Sequence, residues 1–170
     1  MINRRRAVGL AFGALAIAWL LQPSSSHADQ AFQRFLPLLV DLDGWQGKKP
    51  DGMTMAMPNA SMTTATREYQ RAAAQLHVSV IVGPAAVGAL AATQAGMNIQ
   101  TSDGHIITST INGLTVTKTF NIKQKSGAIM VALGPSALFS VSYSGLTEDD
   151  ALPLAQKFDW KALQAAAQQQ

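Results

Sequence analysis

The sequence predicts an α+β domain, an antiparallel sheet of about six strands with helices packed on one face. Residues 75–82 place Leu76, Val78, Val80 and Val82 at every second position, the period of a strand with one buried side. Asn112-Gly113 divides two runs rich in Ile, Val and Thr, and that pair suits the positive backbone angles of a two-residue hairpin turn. An alanine-rich stretch opened by Gly83-Pro84 and closed by Gly96 lies between these strand signals, so helix and sheet belong to one domain.

The chain opens on a predicted leader. Arg4, Arg5 and Arg6 precede an apolar run over residues 7–21, and Ser26-His27-Ala28 supplies a small-x-small cleavage pattern. The run is shorter than the roughly 20 apolar residues a spanning helix needs, so residues 1–28 read as a cleaved signal peptide with no transmembrane anchor left after processing. The general secretory route is favoured over the twin-arginine route, because Gly9 stands where the latter wants a large apolar residue.

Residues 29–170 hold ten Lys or Arg and ten Asp or Glu, for a net charge of zero with histidines neutral. With no basic stripe either, nucleic acid is excluded as a partner, since phosphate-tracking surfaces need such a stripe. The chain has no cysteine, which removes disulfides, thiolate metal sites and cysteine nucleophiles. A periplasmic or secreted protein is expected.

Phe32, Phe35, Leu36, Leu39 and Val40 recur at helical spacing and predict a short amphipathic helix over residues 31–40, with a loop over 41–52. Residues 53–57 carry a methionine at every second position. Strands are predicted over 62–71 and 75–82, joined near 72–74, followed by the helix from Ala85. Four more strands, over 106–111, 114–122, 128–133 and 137–144, form a meander. Leu114, Val116, Phe120 and Ile122 share one face of it with Phe139, Val141 and Tyr143. The opposite face carries Thr115, Thr117, Thr119, Ser140, Ser142 and Ser144, a hydroxyl ladder able to receive hydrogen bonds. Thr147-Glu148-Asp149-Asp150 reads as the start of a C-terminal helix, with Pro153 either kinking it or opening its regular part. The single domain is expected to cover residues 29–164, and 165–170 to form a frayed polar tail.

The chemically unusual feature is a methionine cluster. Met53, Met55, Met57 and Met62, with Trp45, form the candidate binding region, an apolar ridge able to meet a partner. Thioethers are also soft donors suited to copper(I), so Met53, Met55 and Met57 are the candidate ligands if a metal is bound; otherwise no cofactor is expected. Asp41-Leu42-Asp43-Gly44 fails as a calcium loop, because Gly52 stands at the twelfth position where a bidentate acid is required. His77 falls on the polar side of its strand. His105 has Asp103 nearby, and a hydrolase built on that pair with a serine is the third functional reading. Asn59-Ala60-Ser61 matches the glycosylation sequon without further support.

Phe35-Leu36-Pro37 with Gly44-Trp45, the methionine run leading into Thr63-Thr64-Ala65-Thr66-Arg67-Glu68-Tyr69, and the block over residues 127–158 resemble small exported bacterial proteins of uncharacterised function. The element order is also similar to PsbP-like proteins. That likeness implies an extrinsic accessory subunit on an extracytoplasmic face. The resulting expectation is a non-enzymatic periplasmic accessory or binding protein with an envelope protein as partner. A copper(I)-binding protein is the alternative.

Overall fold

A computed structural model describes residues 31–58, 60–94, 96 and 98–169. The leader expected over 1–28 and Asn59 of the sequon lie outside the described residues. Among the described residues, the chain forms a mostly antiparallel sheet with three α-helices, which bears out the α+β reading. The sheet has nine strands rather than about six.

In chain order the strands are β1 (Gln46–Gly47), β2 (Asp51–Met57), β3 (Ala60–Arg71), β4 (Ala74–Val82), β5 (Ile99–Thr101), β6 (Gly104–Ile111), β7 (Leu114–Asn121), β8 (Ser126–Gly134) and β9 (Ala137–Ser144). The helices are α1 (Pro84–Gln94), α2 (Glu148–Ala155) and α3 (Trp160–Gln168). The sheet runs β1-β3-β4-β9-β8-β7-β6-β5, with β2 also paired to β3. Two consecutive meanders are therefore joined at one seam, β4 against β9, where Val78 stands opposite Val141 and Val80 opposite Phe139.

One face, the inner face, holds the main core. Val78, Val80, Val116, Ile129, Val131, Phe139 and Val141 project into it and are fully buried. Phe35, Leu39, Leu42 and Trp45 from the leading segment cover it, together with Ala151, Ala155, Phe158, Trp160 and Leu163 from the C-terminal helices and the turn between them. On the other, outer face, Ala86 and Leu90 of α1 pack with Leu138, Ile81, Met130 and Ala132. These residues alternate with those of the main core, so the helices are divided between two faces instead of sharing one. Helix α1 carries only small and apolar residues through its middle, so it has no amphipathic stripe to reveal which face it covers.

Residues 31–40 form turns and a 3-10 helix (Leu36–Leu38) instead of the predicted α-helix. Pro37 lies in its first turn, where its missing N–H is tolerated but a longer helix through it is not. Its side chains still enter the core as expected. Arg67, on the inner face of β3, then clips this segment down: its guanidinium donates to the carbonyls of Leu39 (2.6 Å) and Lys48 (2.8 Å) and pairs with Asp41. Tyr69 adds a bond from its hydroxyl to the Val40 carbonyl at 2.6 Å.

The predicted turns are present. Asn112 and Gly113 both have positive φ, 54° and 82°, as the two-residue hairpin between β6 and β7 requires. Ile122 falls just past β7 and is 53% exposed, so it leaves the apolar face assigned to it. The Thr147 hydroxyl caps α2 by accepting from the Asp150 N–H at 3.2 Å. Pro153 sits inside α2, and a second helix begins after a break at residues 156–159. Trp160 closes that break, its Nε1 donating to the Ala155 carbonyl at 2.8 Å. Helix α3 runs to Gln168, with Ala166 and Ala167 buried and Ala165, Gln168 and Gln169 exposed.

Candidate functional site

The β2–β3 hairpin presents the methionines. Directly opposite residues of an antiparallel pair point to the same side, and the register sets Met53 against Thr64, Met55 against Met62 and Met57 against Ala60. Thr63, Ala65, Arg67 and Tyr69 take the inner side of β3, so Met62, Met53 and Met55 belong to the outer side. Met53 is 52% and Met55 40% exposed, while Met62 is half-buried. Met57 is placed by backbone register alone, its side chain lying outside the description. The inner side of β2 is pinned by Thr54, whose hydroxyl meets that of Thr63 at 3.4 Å, and by Gly52 against the Phe32 ring.

Helix α1 starts beside this hairpin. Gly83, with φ of +119°, packs so closely that a methyl group there would stand 2.4 Å from the Ser61 carbonyl oxygen and 3.2 Å from the Met62 Cα. While Ala86 and Leu90 face the sheet, Pro84, Ala85, Val87, Gly88 and Ala91 are exposed, Val87 at 48%. Between Asp51 and Arg67, and again between Arg71 and Asp103, the chain contains no Asp, Glu, Lys or Arg. Between Asp51 and Glu68, which border it, the hairpin thus forms with the helix an outer surface without charged side chains, in which Met53, Met55 and Val87 face water. Such patches mark interaction sites.

Trp45 does not join that surface. It is buried in the main core, with the Arg71 guanidinium 4.5 Å from its ring centroid, and its Nε1 finds no hydrogen-bond partner among the described residues.

Two other clusters gather polar groups. Glu68, His77 and Ser142 stand in one row across β3, β4 and β9, in a shallow cleft of about 540 Å³ that also includes Gln46, Lys48 and Gln70. His77 is exposed, as expected, with Nδ1 4.0 Å from a Glu68 oxygen. The Lys48 ammonium donates to Glu68 and holds its carboxyl below the usual range. Ser142 lies on a strand paired on both sides, so the backbone donors around it serve the sheet instead of a developing oxyanion. The hydroxyl face has the alternation the sequence predicts, and part of it, Ser79 and Thr117, is buried.

His105 is paired with Glu148, not with Asp103, which bonds Lys123 at 2.6 Å. Lys118 reaches the same carboxylate, and all three side chains are largely buried. Burial would raise the Glu148 carboxyl, but the hydrogen bonds from Lys118 and His105 and their charges outweigh it and hold the group below the ordinary range. Tyr143 lies nearby, its hydroxyl without a hydrogen-bond partner among the described residues and its pKa pushed up to about 12 by burial and then by Glu148. Local sequence could not reveal this cluster, because Glu148 is 43 residues from His105 and lies on another element.

Among the described residues no group of three or more His, Cys, Asp or Glu converges to hold a metal, and no helix is long and apolar enough to cross a membrane. In comparisons with family models, curated proteins and solved structures, nothing matches this chain.

Proposed function

We propose that this chain is a non-enzymatic accessory or binding protein of the bacterial periplasm, working by contact through the outer surface formed by the β2–β3 hairpin and α1. The observation that carries this reading is the pairing of exposed Met53 and Met55 with an adjoining helix whose exposed side is wholly uncharged. Flexible thioether side chains repack against apolar surfaces of varied shape, which suits a docking ridge. The predicted leader, the zero net charge of residues 29–170 and the likeness in element order to PsbP-like proteins support the same class.

The test is site-specific photo-crosslinking in cells, with the reactive group at position 55 or 87 and, as a control, at Lys161 on α3. A discrete adduct to one envelope protein is expected from 55 and 87, and the adduct from 87 should be lost when Met53 and Met55 are both changed to Glu. Equal adducts from all three positions, or none from 55 and 87, would overturn the reading.

A further inference from the structure

We infer that Met53, Met55 and Met62 form a thioether site for one copper(I) ion on the outer side of the β2–β3 hairpin. The inference goes beyond docking, although it uses the same side chains. Hairpin register adds Met62 to the methionines that strand period alone suggests. Met62, nine residues from Met53 in sequence, is the direct cross-strand neighbour of Met55, and Met53 lies one diagonal away.

Directly opposed residues of an antiparallel pair have Cβ atoms about 4.5–5.5 Å apart, and diagonal neighbours remain within reach of long side chains. Each methionine adds three rotatable bonds, so three sulfur atoms on one side of a two-stranded ribbon can converge on a shared ion. Met53 and Met55 are open to an incoming ion, and half-buried Met62 provides the floor.

The chemistry selects the ion. A thioether is neutral and soft, carries no proton to displace, and favours Cu(I) over Zn(II), Ca(II) or Mg(II). With no cysteine in the chain, the soft donors here are thioethers. No His, Asp or Glu lies within the hairpin between Met53 and Met62 to recruit a harder ion. Asp51 stands on the same side of β2, two residues before Met53, and brings a negative charge to the stripe.

The experiment is an anaerobic titration of the mature protein with Cu(I) against a chromophoric chelator, with Zn(II) and Cu(II) in parallel. One equivalent of Cu(I) and no retained Zn(II) or Cu(II) are expected. Met55→Leu and Met62→Leu should each weaken Cu(I) binding at least tenfold, and the triple Leu variant should abolish it. Met130→Leu, under α1, should leave binding unchanged. X-ray absorption of the loaded protein should show a sulfur shell.

Leucine conserves volume and apolar character, so these variants should keep their fold and their crosslinks at position 87. The two readings therefore fail separately: lost Cu(I) with retained crosslinks supports a metal site that docking does not depend on, and the Glu variants test docking. A wild-type protein that takes up no Cu(I), or a triple Leu variant that still binds one equivalent, would overturn the proposal.

Discussion

Gly47 passes so close to Arg67 that a methyl group at position 47 would stand 2.8 Å from the Nη2 atom. The missing side chain leaves room for the guanidinium, whose Nε lies 2.8 Å from the Lys48 carbonyl. Arg67→Met keeps the apolar stem but leaves the Leu39 and Lys48 carbonyls without their donor. A loss of about 2–3 kcal/mol is expected, the scale of hydrogen bonds to a charged group. Little of it should come from Asp41, whose side chain is 91% exposed. Gly47→Ala should produce a smaller loss, because the group it displaces is the end of a flexible side chain. Urea unfolding of both variants checks the order.

The two tyrosines of the chain, Tyr69 and Tyr143, are both buried and both pushed up to about 12. No tyrosine of the folded protein should ionise near pH 10, and absorbance near 295 nm should stay flat until the chain unfolds or the pH approaches 12. A folded pKa above the unfolded one means that the stabilising effect is complete below the unfolded value of 10.0 and is lost as the pH rises through the folded value. Stability should fall by about 1.4 kcal/mol per pH unit for each tyrosine in that window. A tyrosine titrating normally in the native state would contradict the burial described.

Glu148 works in the opposite direction. Its folded carboxyl lies below the ordinary 4.5, so its contribution is complete above that value and disappears as the pH falls through the depressed folded one. Glu148→Gln should destabilise the protein at pH 7 by about 1–2 kcal/mol, from weaker bonds to Lys118 and His105. The difference from the native protein should shrink on acidification. Thermal melts from pH 7 to pH 3 measure it.

Gly83 links the hairpin to α1. With its positive φ and a methyl group forced to 2.4 Å from the Ser61 oxygen, Gly83→Ala should destabilise the protein by about 2–4 kcal/mol, combining backbone strain with a steric clash. Because Met62 lies against the same turn, the variant should also weaken Cu(I) binding. Gly113→Ala, at a positive φ with open space around it, isolates the cost of strain alone and should be milder.

The long strands were legible because one side of each is buried: Leu76, Val78, Val80 and Val82 alternate in the sequence as they do in the sheet. The Asn112-Gly113 turn was legible because few residues accept positive φ. Short strands at the margins were not. Gln46–Gly47 and Ile99–Thr101 bury nothing, so no period marks them. The methionine stripe of β2 was visible at period two, but Met62 became its partner only through strand pairing. Lys118 on the inner side of β7 and its bond to Glu148 were hidden for a similar reason, since both depend on where α2 begins. Trp45 shows the limit of residue type: an aromatic side chain in a polar stretch is as ready for core as for contact.

The single seam between β4 and β9 has a consequence for the order of folding. Each meander is built from neighbouring hairpins and can form quickly, whereas joining them requires a contact between segments far apart in the chain. A chain threaded N-terminus first would expose Val78, Val80 and Val82 along an open strand until β9 emerges. During that interval, the nascent half-sheet is the species most exposed to aggregation and most in need of a chaperone.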